Sequence, residues 1–243
     1  MKSKIIENIR IIIYALIIAL IIRSLFFQPF FIPSSSMEPT LLVGDRLFVS
    51  KYTFGYSKHS FPFSPQISKK RFFYKQPKRG DVIVFKTPVD NRTDYIKRLI
   101  GLPGDEIQFI NGDLYLNNNQ ILKTKKNIKN LKIYCGETEV DVVAYEEKLP
   151  KGVTYTAVYR KDGAFQNSDK YIVPKDHFFF LGDNRDCSKD SRYLNSVGYV
   201  NKLNLVGKAR IIFFSTNKNK GNIFQIWKWP EIIQWNRFFD IIN

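Results

Sequence analysis

Three consecutive serines, Ser34, Ser35 and Ser36, lie in the stretch IPSSSMEPTL that runs from Ile32 to Leu41. A serine hydroxyl is a poor nucleophile until a base within hydrogen-bonding reach takes its proton. Pro33 has a fixed φ and Pro39 disfavours helix at Glu38, so the stretch is expected to be extended. Extended backbone can lie beside a peptide and offer it alternating pockets. The plain structural alternative is a capping box, with Ser35 capping a helix and Glu38 reaching back to it. The two histidines, His59 and His177, have no supporting motif and read as surface or packed side chains. A lysine replaces histidine as a base when apolar burial leaves its amine neutral. Lys97 is the candidate, because Tyr95, Ile96, Leu99 and Ile100 surround it. In a strand Arg98 would point to the other face, so it is expected to stay in water. A third run, GDNRDCSKDSR from Gly182 to Arg192, lacks the turn glycine and closing glutamate of a calcium loop. Arg185 and Arg192 could instead clamp Asp183, Asp186 or Asp190 with forked hydrogen bonds and brace a site.

The elements that must position these groups are mostly short and rich in β-branched or aromatic residues. Strands are expected over Asp45–Tyr52, Asp81–Lys86, Asp94–Gly101, Glu106–Ile110, Asp113–Asn117, Phe178–Leu181 and Lys208–Ser215. Asn111-Gly112 predicts a tight type I′ hairpin. From Gln120 to Lys170 the chain is Lys-rich and weakly patterned, an inserted β subdomain or long loops. Helical periodicity is confined to the N-terminus. There Ile11 to Ile22 is uncharged, and after Arg23 the apolar run continues to Phe27, 17 residues in all. At ~1.5 Å per residue this approaches a hydrocarbon core of ~30 Å, with Arg23 able to snorkel. Phe61 and Phe63 either face lipid or pack inward. The tail, Ile223 to Phe239, carries Trp227, Trp229 and Trp235 and suits either a membrane interface or docking on the core. Pro230 argues against one continuous helix there.

The fold class is therefore mainly β, preceded by one N-terminal transmembrane helix, with 1–10 expected to be cytoplasmic, 11–27 the anchor and 216–243 a tail. Lys2, Lys4 and Arg10 precede the apolar run and no Lys or Arg follows Arg23 until Arg46. The positive-inside rule places the N-terminus in the cytoplasm and the rest of the chain across the membrane. A cleavable leader would need small residues soon after the run, where FFQPFFIP stands. The net charge of +16 implies attraction to phosphate-bearing surfaces. No nucleic-acid motif accompanies that charge, so lipid is the expected partner. Cys135 and Cys187 form no metal-binding pattern, and they are not expected to pair.

Together, IPSSSMEPTL, YIKRLIGLPGD from Tyr95 and GDNRDCSKDSR, in that order after an apolar N-terminal segment, resemble the bacterial type I signal peptidases. The resemblance spans roughly residues 9 to 215, and it implies a β-rich catalytic core, 28–105 with 177–215, carrying an inserted second β subdomain, 106–176. It implies a membrane-anchored serine endopeptidase of the inner membrane, with its catalytic domain on the outer side. The substrates implied are secretory preproteins, cut after small residues in an Ala-X-Ala pattern, without metal or cofactor. Ser36 would be the nucleophile and Lys97 its general base. Ser34 hydroxyl and Ser36 amide would form the oxyanion hole. Ser188 would orient the lysine, with Asp190, Asp183, Arg185 and Arg192 as braces. Phe30, Ile32, Met37, Leu41, Tyr95 and Ile96 fall where that family lines its shallow pockets. The chain departs from the pattern at Cys187, where asparagine is usual, at Leu194-Asn195, which replace Trp-Gly, and at Ser35, where glycine is frequent. Two other readings fit a Ser-Lys pair or a basic chain: a self-cleaving regulator and a non-enzymatic membrane-tethered binding protein.

Overall fold

A computed structural model describes residues 2–65, 68, 70–128, 131–136, 138–163, 167–217, 220–221 and 224–243. Helix α1 spans Lys2–Leu25 and is long and apolar enough to cross a membrane by length and composition. Its Ile and Leu side chains, from Ile5 to Ile22, are exposed, as lipid-facing side chains would be. The helix stops earlier than the apolar run suggested. Phe26 and Phe27 leave it, and Phe27 opens strand β1, Phe27–Phe31. Gln28-Pro29 follow directly, and Pro29 cannot supply the amide hydrogen that helix continuation needs. Tyr56 Oη donates to Leu25 O at 2.9 Å and Lys51 N to Phe26 O at 2.9 Å, which fixes the helix end on the domain.

Strands β2 (Asp45–Ser50), β3 (Val82–Lys86) and β4 (Asp94–Gly101) follow. Next come β5 (Glu106–Ile110), β6 (Asp113–Leu116), β7 (Asn119–Gln120) and β8 (Leu122–Lys125). After these stand β9 (Lys132–Cys135), β10 (Thr138–Lys148), β11 (Thr154–Arg160) and β12 (Tyr171–Ile172). The chain returns through β13 (His177–Leu181), β14 (Val200–Asn201) and β15 (Leu205–Ser215). The main sheet has the order β1-β2-β15-β3-β4-β13-β14, every pair antiparallel. The strands between 106 and 172 form two smaller sheets of their own, β11-β10-β8 with β9 on β10, and β12-β5-β6-β7. The segment without a sequence signal thus contains the 11-residue strand β10. At the β5–β6 turn Asn111 and Gly112 have φ of 51° and 79°, as a type I′ turn requires.

Strand β15 makes the sheet bend. It pairs with β2 and β3 at once, and its register shifts three times along its length. Such bulges increase local twist and turn a sheet on itself. Residues of β1, an edge strand, and residues 93–97 at the start of β4 line one cleft. The tail docks on β15 and the residue after it through bridges Ile211–Ile241 and Thr216–Ile233, and Ile232, Ile233 and Ile242 are buried. Trp227 and Trp235 remain exposed, Pro230 stands in the first turn of the four-residue helix α2 (Trp229–Ile232), and Ile223 lies outside the described residues.

Candidate active site

The serine-rich stretch is neither fully extended nor capped by a side chain. Ser34 and Glu38 are extended, and between them Ser35–Met37 form one turn of 3-10 helix. Ser34 makes no capping bond, and Glu38 Oε2 accepts instead from Tyr134 N at 3.4 Å. The turn puts Ser36 at the floor of the cleft, where Lys97 Nζ lies 2.6 Å from Ser36 Oγ. Ser34 Oγ is 3.4 Å from the same oxygen. Lys97 has 4% of its surface exposed, and its second hydrogen bond goes to Ile96 O at 3.0 Å. Among the described residues it has no ion-pair partner. Burial lowers its pKa from the usual 10.5 to about 8, although the charges of Asp190 and Asp183 oppose the shift.

Strand β4 carries Lys97, and its neighbour β13 aligns Leu181 with Arg98, so the loop after Leu181 begins beside the lysine. That loop holds the Ser35–Met37 turn directly. Asn184 N donates to Ser36 O at 3.2 Å and Asn184 Nδ2 to Ser35 O at 3.1 Å. A Cβ at Gly182 would lie 2.2 Å from Ser188 Oγ and 2.4 Å from Ser36 O, so only glycine permits this approach. Asp190 accepts from Arg192 Nε at 2.8 Å, from Arg192 Nη2 at 2.9 Å and from Gly182 N at 3.0 Å. Burial raises the Asp190 carboxyl, but the Arg192 charge outweighs it and the net pKa lies below the ordinary value.

The other braces differ from the expected pairs. Arg98 is fully buried rather than solvated and grips Asp183 with two bonds of 2.8 Å, while Thr40 Oγ1 donates to the same carboxylate at 2.5 Å. Arg185 bonds no aspartate of its own loop. It forks onto Glu147 of β10 at 2.8 and 2.7 Å, with Tyr155 and Tyr159 hydroxyls donating to that carboxylate. Ser188, expected to orient the amine, is buried against Gly182, and the amine is held by Ile96 O instead. Phe30, Ile32, Tyr95 and Ile96 line the cleft, a cavity of about 1290 Å³. Met37 and Leu41 do not; both are fully buried behind it, packed with Leu47 and Val49. Leu131, Ile133 and Tyr134 line the cleft as well. Cys135 and Cys187, expected to stay apart, are joined in a disulfide with Cα atoms 5.1 Å apart. Residues of the β9–β10 hairpin and Cys187 line the same cleft, a proximity that the separation of 52 residues does not reveal.

The family model for "Signal peptidase, peptidase S26" matches residues 5–214 of this chain. The chain belongs to that family. Among its relatives are the signal peptidase I of Rickettsia akari, 38% identical over 93% of this chain and 89% of the relative, and that of Rickettsia prowazekii, 39% identical over the same shares. A crystal structure of a signal peptidase I from Enterococcus faecalis is 26% identical and covers 55% of this chain and 97% of its own, with a TM-score of 0.33. Within the peptidase, the residues that sequence reasoning missed are Glu147, Tyr155, Tyr159, Asn184 and Gly182. The first three sit in the weakly patterned insert, where no local feature marks a buried carboxylate. Gly182 and Asn184 belong to the run already singled out, and only the approach of Ser36 explains them.

Proposed function

We propose that this chain is a membrane-anchored serine endopeptidase that removes signal peptides with a Ser36–Lys97 dyad. The observation that carries the reading is the 2.6 Å contact between the Ser36 hydroxyl and an amine whose burial lowers its pKa to about 8. Neutral Lys97 takes the Ser36 proton as Oγ attacks the scissile carbonyl carbon. The resulting oxyanion is held by the Ser34 hydroxyl and the Ser36 amide, each such donor contributing roughly 2.7–4 kcal/mol. The tetrahedral intermediate collapses with cleavage of the C–N bond, and the Lys97 ammonium protonates the departing amine. Water, giving its proton to Lys97, then attacks the ester carbon, and Ser36 Oγ leaves with the proton returned.

The substrate segment enters as an extended strand between β1 and residues 93–97. The β1 edge is unpaired among the described strands, and β13 pairs only with 98–101 of β4. Both flanks thus offer backbone groups to a peptide. The bulky walls from Phe30, Ile32, Tyr95 and Ile96 leave shallow pockets that admit small side chains and reject large ones. The basic N-terminal flank orients α1 with its start in the cytoplasm, which places the cleft on the outer face of the inner membrane. Strands 106–172 act as the inserted subdomain and supply one cleft wall. The test is incubation of the detergent-solubilised protein with a preprotein bearing alanine at the first and third positions before the cut. Wild type should release the mature chain, and Ser36→Ala and Lys97→Ala should not. Cleavage by Lys97→Ala would overturn the dyad.

A further inference from the structure

A second cavity, of about 360 Å³, opens beside the C-terminal end of α1. Four basic residues line it: Arg23 from the last turn of α1, Lys51, Lys86 and Arg92. The single carboxylate in its wall, Asp94, is already bound by Lys86 Nζ at 2.8 Å. Lys51 is almost wholly buried, and its amine donates to His59 O at 3.2 Å and Ser60 O at 3.1 Å. Burial first, then repulsion from Arg23, Lys86 and Arg71, lowers its pKa to about 8 despite the opposing charge of Asp94. His59, also buried and lining the cavity, has its Nδ1 2.9 Å from Ser64 Oγ. Its Nε2 is buried with no hydrogen-bond partner. A buried polar nitrogen left without a partner is costly, and a run of cations facing one another is destabilising unless an anion joins them.

We infer that this cavity binds the phosphate of an anionic phospholipid headgroup. With Ser64 donating to Nδ1, the His59 Nε2–H becomes a donor for a phosphate oxygen, and Arg23 and Arg92 supply forked donors that suit the same group. The position selects lipid over a free anion. Arg23 stands two residues from the end of the apolar helix, and Phe61 and Phe63, both exposed, sit on the rim. Rings at that level enter the acyl boundary while the cations meet headgroups. Phe30 and Asp94 line both this cavity and the catalytic cleft, so a bound lipid would hold the mouth of the cleft at the membrane surface. The inference rests on α1 crossing the bilayer and is independent of the chemistry assigned to Ser36 and Lys97.

The full-length protein in neutral detergent, titrated with dioctanoyl phosphatidylglycerol and followed by native mass spectrometry, should bind one molecule saturably. Dioctanoyl phosphatidylcholine and inorganic phosphate should each bind at least about tenfold more weakly, a difference of about 1.4 kcal/mol. The variants Arg92→Gln and Arg23→Gln/Arg92→Gln alter exposed side chains. They should keep the wild-type melting temperature and lipid-free preprotein cleavage, with phosphatidylglycerol binding weakened by about tenfold in the double variant. Equal binding of the two lipids, or undiminished phosphatidylglycerol binding by the double variant, would overturn the inference. Inorganic phosphate competing as well as the lipid would reassign the cavity to a free anion and overturn it equally.

Discussion

Replacing Lys97 by methionine should abolish cleavage and yet stabilise the protein, by an amount that depends on pH. The amine has a pKa of about 8 in the folded chain against 10.5 for the free side chain. Each tenfold loss of proton affinity corresponds to about 1.36 kcal/mol. Below pH 8 both states hold the proton, and the folded chain carries the full cost of a buried cation, about 3 kcal/mol. Between pH 8 and 10.5 the unfolded chain binds the proton and the folded chain does not, so stability rises with pH. The stabilisation by Lys97→Met should therefore shrink by about 2 to 3 kcal/mol between pH 7 and pH 10, as the wild type catches up. Other lysines and tyrosines titrate in both proteins and cancel in the difference. Methionine fills the volume without a charge, so the cavity term is small. The assay is urea unfolding of the two full-length proteins in neutral detergent at four or five pH values. A stability difference that is flat over this range would mean that Lys97 keeps its ordinary pKa and is no neutral base at working pH.

Three further outcomes follow from the site's supports. Glu147→Ala leaves the buried Arg185 guanidinium unpaired, and should cost about 3–5 kcal/mol in the same unfolding assay. Gly182→Ala drives a methyl group into Ser188 and the Ser36 carbonyl. It should lower kcat in the preprotein assay by at least about a hundredfold, since a displacement of about 1 Å at reacting atoms has that effect. Cys135→Ser/Cys187→Ser, which removes the bond between the β9–β10 hairpin and the loop that follows β13, should lower stability by about 2–4 kcal/mol. The same variant should raise KM more than it lowers kcat, because the hairpin walls the cleft and holds none of the reacting atoms.

What the sequence shows and what it hides divide along the reach of each interaction. Lys97 is legible because its apolar neighbours Tyr95, Ile96, Leu99 and Ile100 are adjacent in the chain, and burial on a strand is a local pattern. Arg98 misleads for the same reason. Alternation assigns it to solvent, but the face it points to is covered, and its partner Asp183 lies 85 residues away. The Arg185–Glu147 pair hides in the same manner, with the acid on a strand whose neighbours Glu146 and Lys148 are exposed. The hairpin at Asn111-Gly112 is legible because two residues suffice to set the turn. Pairing of Cys135 with Cys187 is not, because it depends on the β9–β10 hairpin meeting the loop after β13, 52 residues away. Met37 and Leu41 sit along the serine stretch as pocket residues would, but the 3-10 turn carries Met37 into the core, and Leu41 beyond it is buried too.

The central claim is that a neutral Lys97 amine activates Ser36, and the pH dependence of kcat/KM for preprotein cleavage tests it most directly. The ascending limb reports the essential base of the free enzyme. It should have its midpoint at about 8 and reach a plateau above it. A limb centred near 6.5, as for histidine, or a rate still climbing through about 10.4, as for an ordinary lysine, would contradict the account.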